Sequence, residues 1–184
     1  MKVSKERAAD NRERILDGAA RLFRERGLSG VGVEALTEAA DLTYGSLYSH
    51  FGSKNALMAE AVKRAFASFA RKTSATTNAT DFIEQYLSTE HRDQPGDGCA
   101  VAALGCEMFR QSKLVRHAFT ESVKGAVGRL SARLPRKPSR EREDRAWVLL
   151  ATLMGAMVLA RGVDDPALSD RILSAVRTRL SKST

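Results

Sequence analysis

From Thr43 to Lys54 the chain reads TYGSLYSHFGSK. Hydroxyls at Thr43, Tyr44, Ser46, Tyr48 and Ser49, the imidazole of His50 and the ammonium of Lys54 crowd into this short stretch. No Asp, Glu, His or Cys stands at ligand spacing beside His50, so metal binding or general-base work has no partner there. The chemistry that remains is non-covalent. Hydroxyls and the free amides at a helix start exchange hydrogen bonds with phosphate oxygens and base edges. A helix serving packing alone would carry Lys, Glu or Ala at these positions.

The surrounding residues supply the shape. Leu36 to Ala40 is a short apolar-spaced helix, and Asp41, Leu42 and Thr43 make a tight turn. Tyr44 to His50 is a second short helix. Two short helices joined by such a turn outline a helix-turn-helix, whose second helix enters the DNA major groove. Asp41 tolerates the left-handed conformation the turn requires. Leu42 is an apolar pin between the helices. Thr43 is the N-cap, its hydroxyl accepting from the Gly45 or Ser46 amide. Gly45 costs roughly 1 kcal/mol of helix stability relative to Ala, which is easier to understand if a backbone or a phosphate comes close. Leu47 and Phe51, at i and i+4, face inward. Tyr44, Ser46, Ser49 and His50 face outward, with Tyr48 near the edge. Ser53 caps the next helix, and Lys54 in its first turn can reach a phosphate.

This stretch resembles the DNA-binding motif of the TetR family of transcriptional regulators. The family pattern is met in register by Leu36, Ala40, Leu42, Thr43, Gly45, Leu47, Tyr48, His50, Phe51, Lys54 and Leu57. The chain departs at Thr37, where the family favours Ala, and at Asp41, where it favours Gly. The resemblance spans the N-terminal third; beyond it only the layout is shared. It implies an all-α chain with a helix-turn-helix domain over residues 1–54 and a helical effector-binding and dimerisation domain over residues 55–184. It further implies a ligand-released repressor that binds a palindromic operator in double-stranded DNA as a homodimer. Carried over residue by residue, the DNA contacts are Thr43, Tyr44, Gly45, Ser46, Tyr48, Ser49, His50 and Lys54. Tyr44, Gly45 and Ser49 lie nearest the groove floor, and Thr43, Tyr48, His50 and Lys54 are better placed for phosphates.

The elements that hold this motif read as follows. Met1 to Ala9 is basic, either an arm reaching phosphates or a frayed end. A helix begins near Asp10, where Asp10 and Glu13 have capping-box spacing, and runs to Gly27 on a stripe of Ile15, Leu16, Ala19, Leu22 and Phe23. Leu28 and Val31 close the corner, and Gly32 caps the helix at Val33. Ser53 to Lys72 is a longer helix and the mechanical link to the rest. Thr73 to Thr80 reads as a loop, Asp81 to Ser88 as a short helix and Glu90 to Gly98 as a polar loop. Cys99 to Gln111 reads as one helix and Lys113 to Leu134 as another. Pro135 to Pro138 breaks the chain before a helix from Ser139 that turns almost wholly apolar between Ala146 and Ala160. Such a helix is buried on several sides, and one of those sides is expected to be a partner subunit. Asp165 caps the last helix, with Pro166 at its first position.

The dimer interface is expected at Ala151, Gly155, Ala156, Ala160, Leu168, Ile172, Leu173 and Val176. An effector pocket, implied by the resemblance, is expected to draw on Phe66, Phe69, Tyr86, Cys99, Phe119, Trp147 and Met154, each of which also suits plain core. Cys99 and Cys106 are too far apart along one helix for a disulfide. Glu107 and Arg110 read as surface charges.

The 184 residues are 43% hydrophobic and 28% charged, within the range of a globular chain. The net charge of +8 favours a polyanionic partner, but it is spread along the chain, so the motif carries the claim. The apolar run from Ala146 is too short to span a bilayer comfortably. A charged N-terminus without an apolar signal core, and only two cysteines, lead to the expectation of a cytoplasmic protein. No phosphate loop, nucleophile elbow or metal spacing is present, so no enzyme activity, metal or cofactor is expected. Two other readings use the same residues. One is a helical small-molecule sensor or carrier without a DNA target. The other is a cysteine-based redox- or electrophile-responsive regulator.

Overall fold

A computed structural model describes residues 5–40, 43–136 and 138–182. Within them every regular element is helical. The first helix, α1 (Lys5–Arg26), buries Ile15, Leu16, Ala19, Ala20 and Phe23 at helical spacing. It starts earlier than the capping-box spacing at Asp10 indicates. Lys5 to Ala9 are good helix formers and simply continue the turn, leaving Asp10 inside the helix. Met1 to Ser4, the rest of the basic arm, lie outside the described residues. The helix stops at Gly27, whose φ of 76° is a conformation that side chains with a Cβ resist.

Two short helices follow, α2 (Val33–Ala40) and α3 (Tyr44–Phe51), then the long α4 (Lys54–Lys72). Leu28, Val31, Leu36, Leu47, Phe51 and Leu57 meet α1 in a small core. Charges on the outside reinforce it. Arg64 of α4 pairs with Asp17 at 3.0 Å and with Glu13, and Arg12 of α1 pairs with Glu60 of α4. The buried Arg24 donates to the Ala65 carbonyl and the Ser68 hydroxyl, both at 2.9 Å. Burial lowers its pKa from the usual value. These bonds pin α1 along α4, which also packs on the helices that follow.

After α4 come α5 (Ala79–Tyr86), α6 (Thr89–Asp93), a 3-10 turn at Pro95–Asp97 and α7 (Ala100–Leu104). A second 3-10 segment at Gly105–Arg110 leads to α8 (Lys113–Arg133), α9 (Ser139–Gly162) and α10 (Pro166–Ser181). Two expectations are corrected here. Glu90 to Gly98 is not an open polar loop. Ser88 caps α6, and His91 is buried, its Nδ1 2.6 Å from the Tyr86 carbonyl while its Nε2 accepts from the Cys99 amide at 2.9 Å. Arg161 of α9 holds the same turn through the His91 and Arg92 carbonyls. Cys99 to Gln111 is not one helix either. It tightens to 3-10 geometry at Gly105, so Cys99 is buried while Cys106 is exposed.

By length and composition α9 could cross a membrane. In the fold it is a core helix, burying Ala146, Leu149, Leu150, Leu153, Ala156, Met157 and Ala160 against its neighbours. Asp165 caps α10 by accepting from the Ala167 and Leu168 amides at 2.9 and 3.1 Å.

Candidate nucleic-acid interface

The shape of α3 follows from two buried side chains. Leu47 is fully buried and Phe51 nearly so, which fixes the rotation of the helix on α1 and α4. The Arg12 guanidinium lies 4.9 Å over the Phe51 ring and fastens the far end. What is left outside is Thr43, Gly45 and Ser49, exposed, with Ser46 and His50 half-exposed. Thr43 is the N-cap, in extended geometry with its hydroxyl 3.4 Å from the Ser46 amide.

Gly45 has no packing reason to be glycine. A Cβ built there meets nothing within 4 Å, and its backbone is ordinary helix. The residue leaves a shallow spot on the outer face where another surface can approach the backbone. Ser49 spends its hydroxyl proton on the Ser46 carbonyl at 2.8 Å, which keeps its oxygen free to accept. Tyr48 is half-buried and packs on the core. Lys54 does more than its sequence position indicates: its ammonium donates to the Val31 carbonyl at 2.9 Å and ties the corner before α2 to the start of α4. Ser53 caps α4 by accepting from the Ala56 amide at 3.1 Å. Asp41, Leu42 and the Tyr44 side chain, all invoked from the sequence, lie outside the described residues.

A helix of this kind, shallow, hydroxyl-bearing and outward-facing at the tip of a braced three-helix unit, has the form of the second helix of a helix-turn-helix. The profile of the bacterial regulatory proteins of the tetR family matches residues 15–61, from the middle of α1 through α2 and α3 into α4. The chain belongs to the TetR family. It is a DNA-binding transcriptional regulator. It is 26% identical over 177 residues to the transcriptional repressor NemR of Escherichia coli strain K12, covering 86% of this chain and 88% of that protein. Its fold superimposes on the crystal structure of reduced E. coli NemR with a TM-score of 0.76, at 25% identity, over 94% of this chain and 96% of that one. It is also 28% identical over 110 residues to the repressor DhaR of Mycobacterium sp. strain GP1, a match spanning 57% of this chain and 56% of DhaR.

A second feature of this TetR-family chain lies behind the reading head. Phe66, Phe69, Tyr86 and Cys99 line one cavity between α4, α5, α7, α8 and α9, together with Phe82, Arg129 and Arg133. About 40 Å³ of it is free, so the rings nearly close it. Three sequence candidates are elsewhere. Phe119 stands behind Phe66, ring edge to face at 5.6 Å. Trp147 is on the outer face of α9, 40% exposed, and Met154 packs half-buried toward Gly105. The aromatic residues were legible in the sequence, but which helix face turned toward α8 was not.

The outer face of α9 carries Val148, Ala151, Gly155 and Leu159 at helical spacing, Val148 and Leu159 being 66% and 60% exposed. Leu168 of α10 is also exposed, at 43%. Ala156, Ala160 and Leu173, grouped with them in the sequence, turn inward and are at most 4% exposed. One helix cannot offer all its small residues to a partner while also packing on α8 and α10. The 3.6-residue period divides them. Ile172 and Val176 are half-buried against the same core.

One expected surface charge is a structural link instead. Glu107, in the 3-10 segment after α7, accepts from the Leu28 amide at 3.0 Å and the Ser29 amide at 3.2 Å. It links the cavity wall to the corner between α1 and α2. A separation of 79 residues leaves no local signal for such a contact.

Proposed function

We propose that this chain is a homodimeric repressor that a small molecule releases from a palindromic operator. The observation that carries it is the outward face of α3, where Thr43, Gly45 and Ser49 are exposed and Ser46 and His50 half-exposed while Leu47 and Phe51 anchor the helix. On this reading Tyr44, Gly45 and Ser49 approach base edges. Thr43, Tyr48 and His50 contact the backbone, and Lys54 does so only by giving up its bond to Val31. The exposed face of Val148, Ala151, Gly155, Leu159 and Leu168 meets its copy across a two-fold axis. That contact sets the two α3 helices about 34 Å apart, one helical turn of DNA.

Release then follows from differential binding. A ligand that favours a conformation with another separation lowers DNA affinity by about 1–3 kcal/mol of coupling. The aromatic cavity is the ligand site, and α4 and Glu107 carry its state to the reading head. The division at residue 54 marks where α4 passes from one unit to the other. Work on an operator places the protein with the chromosome, in the cytoplasm. The names of NemR and DhaR as repressors support the sign of regulation.

A gel-shift titration with the DNA upstream of the chain's own gene tests this at several stated salt concentrations. Specific retardation by a dimer, weakening as salt rises while unrelated DNA of equal length competes poorly, is the expected result. Equal affinity for both DNAs at every salt would leave no sequence reader. It would favour the sensor or carrier reading.

A further inference from the structure

The cavity behind α4 holds more polar information than a plain core. Tyr86 is buried to 1% exposure, and its hydroxyl has only the Cys99 thiol beside it as a weak partner. A thiol is a weak acceptor for a phenol, so the Tyr86 hydroxyl keeps donor capacity for a better one. Burial, with the Cys99 thiol next to it, raises the Tyr86 pKa well above the ordinary value, so the phenol stays protonated and able to donate.

The open side has the opposite character. Arg129 and Arg133 stand one helical turn apart on α8 and both line the cavity. Arg133 donates to the Thr73 and Thr76 carbonyls, both at 2.9 Å, and lies 5.0 Å over the Phe82 ring. Arg129 is exposed, and among the described residues no carboxylate pairs with either guanidinium. Two uncompensated cations at the mouth of an aromatic slot form a local field that favours an anion, and guanidinium matches carboxylate geometry.

We infer that the cavity takes a small organic monocarboxylate with an aromatic or short alkyl body. Its carboxylate meets Arg129 and Arg133, its body lies among Phe66, Phe69 and Phe82, and a hydrogen-bonding group at its far end meets the Tyr86 hydroxyl. This rests on the reading of the cavity as the regulatory site. Because little of the space is free, binding must part the rings. That movement pushes on α4, which carries Phe66 and Phe69, and on α7, which leads to Glu107.

The test uses the full chain and four probes: 3-phenylpropanoate, 3-(4-hydroxyphenyl)propanoate and the amide of each. Calorimetric titration is expected to show each acid binding about tenfold or more tighter than its amide, as charge-assisted bonds to arginine require. Arg129→Gln, at an exposed position, should cut the acid's advantage over the amide severalfold and leave the amide unchanged, and an undiminished advantage overturns the site. The hydroxylated acid should bind more tightly than the plain one, and Tyr86→Phe should erase that difference only. Amides that bind as well as acids, or acids that fail to bind at about 1 mM, overturn the ligand class. The regulatory reading is scored separately by adding the acid to the operator complex. An acid that binds through Arg129 yet leaves the DNA complex intact supports the carboxylate site and removes its role in release.

Discussion

Replacing Glu107 by Ala is the sharpest test of how the two parts of the chain are joined. The Glu107 carboxylate accepts from the Leu28 and Ser29 amides at 3.0 and 3.2 Å, just beyond the end of α1. Leu28 is buried and Ser29 exposed, so only the first amide loses its partner without water to replace it. A hydrogen bond to a charged group contributes about 1.5–3 kcal/mol, and the exposed one is discounted. Loss of the carboxylate should therefore cost about 2–3 kcal/mol. For a chain of this size that lowers the melting temperature by roughly 4–12 °C. Hydrogen exchange gives the specific readout. The Leu28 and Ser29 amides should exchange about tenfold or more faster in Glu107→Ala, with Glu107→Gln falling between it and wild type, while amides in the middle of α9 change only by the global loss. If Leu28 and Ser29 keep their protection, the carboxylate does not hold this corner, and the route from cavity to reading head through Glu107 fails. If protection is lost, operator affinity without ligand should change little, and the loss of affinity on adding ligand should shrink.

Three other perturbations test separate parts of the argument. Gly45→Ala should stabilise the fold by up to about 1 kcal/mol, since a Cβ there meets nothing, yet weaken operator binding about tenfold or more because the methyl occupies the approach to the duplex; unchanged affinity would remove Gly45 from the contact surface. Val148→Asp should convert a dimer to a monomer in sedimentation while leaving the helical circular dichroism intact, and a dimer that survives it would move the interface off the α9 face. His91 has its pKa lowered to about 4, chiefly by burial, from an unfolded value of 6.5. The folded state thus binds fewer protons between these values, so the stability tied to His91 is complete above pH 6.5 and is lost as pH falls toward 4. The loss should reach about 2–3 kcal/mol by pH 4.5 in urea titrations. His91→Asn should remove that component of the pH dependence, and an unaltered slope would show that His91 is not its source.

The N-terminal unit was open to reading because its physics is local. Thr43 and Ser53 cap helices that begin within a residue of them, Gly27 ends a helix by its own backbone freedom, and Leu47 and Phe51 face inward by simple spacing. Each of these needs only residues a turn away. The position of Gly45 on an outward face follows from the same period. The apolar content of α9 likewise announced a buried helix.

Other features depended on how the helices came to rest against one another. The period of α9 offers small residues on every side, and only its packing on α8 and α10 decided that Ala151 and Gly155 face out while Ala156 and Ala160 face in. Trp147 left the cavity and Arg129 joined it for the same reason. His91 looks like a loop residue until Tyr86, Cys99 and Arg161 close around it. Glu107 looks like a surface charge until α7 tightens and carries it to amides 78 and 79 residues away. A cap or an apolar stripe is set by neighbours in sequence, whereas the partner of a carboxylate or the exposed side of an all-apolar helix is set by which surfaces the whole chain can bury at once.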